Sequence, residues 1–408
     1  ANFNTAVGKS ALQNNTTGTE NVAVGALALD ASTTAGYNTA VGYKALTDCT
    51  TGSINVAIGR ESLENLTTGA KNVAVGRSTL GVLTTGEENT AVGDLALYAC
   101  TTASSNVAVG AEALRANTTG SNNVSIGKNS MKASTTGSTN VAVGLNSLEV
   151  NTTGSNNTAL GDGTLNQNNG SLNTAVGRQA LVLNTSGQYN TAVGANSLDA
   201  LTTGNYNTAV GRDAGGAATG NENTFLGQQA GNSSTTASNC IHVGYNSGNS
   251  NESKTITIGT DITSFGSTHV TLGTNGDGRV YNNFSSNASW ARSSDERKKK
   301  DITTNTDCGL DFIKELRTVT YKWKSPSELP NTFVGYDANI TEASYQNKMY
   351  GFIAQEVKTA MDKFNITDFE GWTEDKNGEQ GISYEMFIMP LVKAVQELSA
   401  EVEALKAA

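Results

Sequence analysis

A glycine returns every 17 residues at Gly8, Gly25, Gly42, Gly59, Gly76, Gly93, Gly110, Gly127, Gly144 and Gly161. So short and regular a period leaves few folds open, and all of them are repeat architectures. The beat goes on at Gly177, Gly194, Gly211, Gly227 and Gly244, then shortens to Gly259 and Gly273, so spacings fall from 17 through 16 and 15 to 14. The array tapers toward a different text near residue 290.

Each unit reads Asn, Thr or Val, Ala, Val, Gly, then Ala-Leu, then a Thr-Thr-Gly turn, as in Asn4–Gly8, Ala11-Leu12 and Thr16–Gly18. A 17-residue unit with alternating Val22 and Val24, glycine at its corners and no proline is too short for a helical pair. It suits one coil of a parallel β-solenoid, a mainly β fold. At the usual strand spacing, about 17 coils would stack into a rod on the order of 80 Å long.

Equivalent side chains then meet at equivalent heights. The asparagines Asn4, Asn21, Asn38, Asn55, Asn72, Asn89, Asn106, Asn123 and Asn140 form one such column, whose amides can hydrogen-bond up and down the stack. A second column, Leu12, Leu29, Leu46, Leu63, Leu80, Leu97, Leu114, Met131 and Leu148, is the expected core, and it ends where Gly215 and Gly231 take its place. About three apolar residues per coil make a thin core. One face of the coils is therefore expected to be buried against other copies of the chain.

The segments Asn123–Gly127 (NVSIG) and Asn55–Gly59 (NVAIG) resemble the Asn-Ser-Val-Ala-Ile-Gly motif in the head repeats of trimeric autotransporter adhesins. That resemblance implies a trimer of β-rolls. The period here is longer than in those heads, which adds residues to one corner of each coil.

All three prolines (Pro326, Pro330, Pro390) and all three tryptophans (Trp290, Trp323, Trp372) fall in the last 119 residues, placing a domain boundary near Trp290. The organisation expected is a repeat stalk over 1–245, a tapering cap over 246–293, a second module over 294–386 and a terminal helix over 387–408. A net charge of −10 argues against a nucleic-acid partner. No apolar run approaches the twenty residues of a membrane helix, so no membrane insertion is expected. Cys49 and Cys100 share a coil position but stand three coils apart, too far for a bridge. With only His242 and His269 as histidines, no metal site is expected, and no cofactor. His242, between Ile241 and Val243, reads as a strand residue pointing outward. The chain opens inside a repeat at Ala1-Asn2-Phe3-Asn4, which leads to the expectation of an attachment module upstream.

At Ser293 the text changes to Ser-Ser-Asp-Glu-Arg-Lys-Lys-Lys-Asp-Ile. From spacing alone, Ser293 with Glu296 is a capping box and Arg297–Lys300 the solvated face of a short helix. Helical and strand patterns follow at Leu310–Leu316 and Val319–Trp323. The run Ser294–Ile302 resembles the opening of the intramolecular chaperone domain of endosialidases and phage tail fibres. The blocks Val319–Lys324 (VTYKWK), Tyr350–Val357 (YGFIAQEV) and Tyr384 through Leu398 carry the same resemblance in order. It implies a domain that assists trimer assembly of the fibre upstream and then cuts itself off with a serine–lysine dyad. Carried over residue by residue, the nucleophile is Ser294, the base Lys299 and the cleaved bond Ser293–Ser294, with Asp295 and Arg297 completing the motif. Lys298 departs from the family, where leucine is usual; if that leucine packs the site, cleavage would be slow or absent.

The last residues Ile388, Leu391, Val395, Leu398, Val402 and Leu405 are spaced 3, 4, 3, 4, 3, a heptad seam. Its Ile/Val at one seam position and Leu at the other favour two strands by the coiled-coil rules, whereas the family resemblance implies three. A single amphipathic helix packed on its own domain is the other reading.

Together these features lead to the expectation of a homotrimeric viral tail fibre or spike: a virion protein that meets a host-cell receptor, glycan or protein, and joins other tail proteins through an upstream module. The alternative is a trimeric adhesin on a bacterial surface. A glycan-cleaving enzyme finds no support, because no carboxylate pair sits in an insert of the repeats. The aromatic-bearing stretch Tyr245–Trp290, with Phe265, His269, Tyr281 and Phe284, reads either as a cap joining rod to chaperone or as a receptor contact.

Overall fold

The computed structural model describes residues 3–274, 279–283, 291–292, 296, 299–331, 336–343, 347–375 and 378–408. The chain packs as two compact units, Ala1–Ser293 and Ser294–Ala408.

The first unit is a parallel β-solenoid. Seventeen strands, β1 (Thr5–Val7) to β17 (His269–Thr274), pair in chain order, each parallel to the next and in register, as in Ala40↔Ala57 and Ala57↔Ala74. Sixteen turns separate the first strand from the last. Side chains alternate across a strand, so a three-residue strand sends its middle residue one way and its neighbours the other. In Val56-Ala57-Ile58 the alanine is buried and the two branched residues face out. The alternating valines, which carry most of the strand's apolar area, therefore line the outside of the single chain.

The interior is built from small strand residues facing the leucine column, with Leu29, Leu46, Leu63, Leu80, Leu97 and Leu114 fully buried. Those leucines adopt a left-handed backbone, with φ of 51° at Leu29 and 50° at Leu97. That conformation costs about 1–2 kcal/mol per residue, and burying a leucine returns about 1.5–3 kcal/mol. The tight corner is sustained by what it buries. The 17-residue glycine answers a harder limit: Gly59 has φ +133°, and a Cβ there would collide with the carbonyl of Gly76 in the next coil.

The asparagine column forms a continuous ladder. Asn106 accepts the Asn123 backbone N–H through Oδ1 at 3.0 Å, and its Nδ2 donates to Asn89 Oδ1 at 3.2 Å and to the Gly120 carbonyl at 3.0 Å. Each amide thus satisfies backbone groups that the turns leave without partners.

Near the end of the array the core changes sides. Phe225 and His242 occupy the alanine position of strands β14 (Thr224–Leu226) and β15 (Ile241–Val243), and both are fully buried. His242 therefore points inward, not outward. Flanking apolar residues at i±1 put the intervening side chain inside, and room for the ring comes from glycine in the leucine column. A Cβ at Gly231 would run into the Phe225 ring, and one at Gly248 into the His242 imidazole. His242 Nε2 lies 3.0 Å from Thr255 Oγ1, and burial pushes its pKa down to about 4.

Parallel pairing continues through β16 (Ile256–Thr260) and β17, inside the stretch read as a cap. It then reverses: β18 (Arg279–Asn283) runs antiparallel to β17, and β19 (Ala291–Arg292) antiparallel to β18. Phe265 stacks on Tyr281 there, ring centroids 3.7 Å apart. Cys49, Cys100, Cys240 and Cys308 are free and buried.

The second unit is α+β. Helix α1 (Leu310–Glu315) packs on α2 (Ala354–Lys363) and α3 (Ile388–Ala407) around Phe312, Val357, Met361, Ile366 and Phe387. Two antiparallel hairpins complete it: β20 (Val319–Tyr321) with β21 (Met349–Gly351), and β22 (Trp372–Glu374) with β23 (Gln380–Ile382).

Candidate functional site

Of the residues proposed for self-cleavage, Ser293, Ser294, Asp295 and Arg297 lie outside the described residues, as does Lys298. Lys299 is described: it is exposed, and its backbone N–H donates to the Glu296 carbonyl at 2.9 Å, an i to i+3 turn. Glu296 lies in a 3-10 turn, Lys299 and Lys300 follow in irregular chain, and Arg297 and Lys298, the rest of the stretch read as a helix face, lie outside the described residues. The first regular helix of this unit waits until Leu310, after a turn in which Asn305 Oδ1 accepts the N–H groups of Asp307 and Cys308 at 3.1 and 3.2 Å.

Three blocks picked out in the sequence meet in space. Val319–Tyr321 pairs with Met349–Gly351, and the Tyr384 hydroxyl accepts the Phe352 N–H at 3.1 Å. Gly351 is what admits that tyrosine, since a Cβ there would collide with its hydroxyl. Between them lies an open, largely apolar groove of about 520 Å³, whose walls include Val319, Thr320, Tyr350, Gly351, Phe352 and Tyr384. Arg317 pairs with Glu356 on α2. The pairing holds the Glu356 carboxyl below its ordinary range, chiefly through the hydrogen bond from Arg317.

Helix α3 presents two sides. Pro390 and Ala394 are buried, and Glu397 accepts the Leu310 N–H at 2.6 Å while pairing with Lys393 at 3.2 Å. The Leu310 N–H first, and Lys393 second, hold the Glu397 carboxyl below its ordinary range. This cap on α1 fixes the helix to its own unit. The heptad seam faces away: Ile388, Leu391, Val395, Leu398, Val402 and Leu405 are 41 to 77 % exposed. A helix bound only to its own domain would turn those residues inward.

The solenoid carries a second uncovered apolar feature. The outward residue before each repeat glycine is Val, Ile or Leu in every strand from Val7 to Leu272, and none of the seventeen is buried. The other outward position is less strict, mixing Val, Ile and Thr, and is Thr in five successive coils at Thr158, Thr174, Thr191, Thr208 and Thr224. Neither the orientation of the valines nor the Tyr384 and Glu397 bonds had been read from the sequence. The period-2 alternation held the first, since a buried alanine between two valines is the complement of the usual pattern. The other two join residues 32 and 87 positions apart and leave no local signal.

Among the described residues no cluster of His, Cys, Asp and Glu could hold a metal ion, and no helix is long and apolar enough to cross a membrane.

Residues 294–366 match the family model described as chaperone of endosialidase, and that match begins at the residue where the second unit begins. No curated protein and no solved structure matches the chain.

Proposed function

We propose that this chain is the repeat shaft of a viral tail fibre or spike, that it works as a homotrimer at the host-cell surface, and that its C-terminal unit assembles the trimer and then releases itself. The observation that carries the reading is the outward valine ridge. An apolar stripe on every coil of a solenoid has no use in a lone chain, where contiguous exposed apolar surface marks an interface. A second copy fits it best, because a ridge that repeats coil by coil matches an identical ridge at the same pitch. The exposed seam of α3 gives the same copies a second, coiled-coil contact, and the family match supplies the chaperone role.

Release would proceed at Ser293–Ser294. Ser294 Oγ attacks the Ser293 carbonyl carbon, its proton passing to the neutral Lys299 amine. The C–N bond breaks as that proton moves on to the leaving amine of Ser294, which leaves an ester between the two residues. Water hydrolyses the ester, freeing a carboxylate at Ser293 and restoring the hydroxyl. A lysine serves as base only in its neutral form. The reaction turns over once.

Intact-mass analysis under denaturing conditions, beside a Ser294→Ala control, tests this step. Two pieces, one ending at Ser293 and one beginning at Ser294, are expected in the wild type and absent from the control. One uncut chain of 42.3 kDa in both would refute cleavage and leave an assembly domain that stays on the fibre. Mixing Ser294→Ala chains with Lys299→Ala chains asks whether the dyad forms between subunits; restored cleavage is expected if it does.

A further inference from the structure

The residue just before each ladder asparagine sits at an outward corner with a left-handed backbone. Bulky side chains are disfavoured there, whereas Asn tolerates it, and Asn122, Asn156 and Asn239 occupy the corner in other coils. In three successive coils it carries Leu172, Tyr189 and Tyr206, with φ of 62°, 57° and 59°, and Phe3, Tyr37 and Ile54 hold the same corner nearer the start of the array, with φ of 62°, 61° and 61°. Leu172, Tyr189 and Tyr206 are 43, 47 and 58 % exposed, so burial does not repay the conformation as it does for the core leucines. Tyr189 and Tyr206 stack in parallel, ring centroids 4.9 Å apart and planes at 5°. The left-handed corner recurs along the array, so what sets these coils apart is the stacked tyrosine pair.

The surroundings define the ligand. The three coils read Ser171-Leu172-Asn173-Thr174, Gln188-Tyr189-Asn190-Thr191 and Asn205-Tyr206-Asn207-Thr208, without a charge in a chain of net charge −10. Charge returns at once in the next coil, at Glu222. Each corner residue is followed two positions later by the first residue of a strand, Thr174, Thr191 or Thr208, and none of these threonines is buried. The amide of Asn205 is held in place: its Oδ1 accepts the Gln188 backbone N–H at 2.8 Å, while Asn221 Oδ1 does the same for the Asn205 N–H at 2.8 Å.

We propose that the Leu172–Tyr189–Tyr206 corner, with its amides and threonine hydroxyls, is a binding surface for a neutral oligosaccharide lying along the solenoid axis. This rests on the attachment reading and names its ligand class. Sugar C–H faces pack on apolar and aromatic surface, while amides and hydroxyls serve as both donors and acceptors for sugar hydroxyls. An acidic glycan or peptide would call for a cation that the corner does not offer. Coils rise by about 4.8 Å, close to the length of one pyranose, so successive coils can address successive sugars.

The test is calorimetric titration of the full chain with neutral hexasaccharides of glucose, mannose, galactose and N-acetylglucosamine, beside an oligogalacturonate as the anionic probe. At least one neutral hexasaccharide is expected to bind, and Tyr189→Asn and Tyr206→Asn each to weaken it tenfold or more. Asn is native to this corner, so the fold should persist. Tyr98→Asn, at an exposed tyrosine elsewhere on the coil, should leave binding unchanged. No neutral binding at millimolar sugar, equal binding by the Tyr→Asn variants, or preference for the anionic probe would overturn the proposal. So would a drop of either variant to single chains in native mass analysis, which would make the stack a subunit contact. Cell binding separates this from the attachment reading: a Tyr206→Asn chain that coats cells as well as wild type keeps attachment and removes this site, whereas wild-type chain that coats no cells but binds sugar removes attachment alone.

Discussion

Replacing Asn106 by Ala should cut the solenoid's hydrogen-bond ladder at one rung, and the structure says which group suffers. Gly120 O would keep the Asn117 amide at 2.9 Å, Asn123 Nδ2 would keep Gly137 O at 2.9 Å, and Asn89 Oδ1 would keep the Asn106 backbone N–H at 3.1 Å. The Asn123 backbone N–H, bonded to Asn106 Oδ1 at 3.0 Å, is left buried without that partner. An orphaned buried donor costs about 1–3 kcal/mol, and three weakened bonds at about 0.5–1.5 kcal/mol each bring the loss to roughly 2.5–7.5 kcal/mol. In a quasi-one-dimensional fold that loss stays local. Hydrogen exchange should therefore show protection falling in the coils on either side of Asn106, while coils ten turns away keep theirs. Asn117→Leu is the matched control. Leu66 and Leu83 already occupy that coil position and are fully buried, but the Gly120 N–H loses its bond to Asn117 Oδ1 at 3.1 Å, so a smaller loss of about 1–3 kcal/mol is expected. Uniform loss of protection along the rod, or no loss at the Asn106 rung, would refute the ladder as the local source of stability.

Gly231→Leu restores the repeat's usual residue yet should destabilise the terminal coils by about 1–3 kcal/mol or more through overpacking against Phe225; the double change Gly231→Leu with Phe225→Ala should recover most of it by thermal melting. His242 gives a pH dependence. Its folded pKa of about 4 lies below the unfolded value near 6.5, so its contribution to stability is complete above pH 6.5 and lost as pH falls toward 4. The full loss is on the order of 3 kcal/mol, and His242→Phe should flatten acid melting of the last coils over that window. Glu397→Gln should loosen α1 from α3, seen as faster exchange of the Leu310 amide, because the carboxylate that caps it is gone.

Much of the fold was written in the sequence because a solenoid repeats its local rules at every turn. One period gave the strand, the asparagine ladder and the leucine column, and stacking multiplied them. What escaped were features set by complementarity across the coil. His242 went inward because Gly248 left a hole for it, a relation visible only once the two positions are known to face each other. The array also ran on past Tyr245 because strand pairing tolerates shorter loops at the corners, so a falling period does not end a ladder. In the C-terminal unit, motif blocks located the elements, but Tyr384 reaching Phe352 and Glu397 reaching Leu310 are long-range bonds with no periodic trace.

The central claim is that an outward valine ridge and an outward heptad seam hold identical chains together in threes. Native mass spectrometry of the purified protein measures this directly. An assembly of three copies, whether of the whole chain or of residues 1–293, is the predicted result. A single chain of 42.3 kDa across the micromolar range would contradict it, and would leave both apolar faces in need of a different partner.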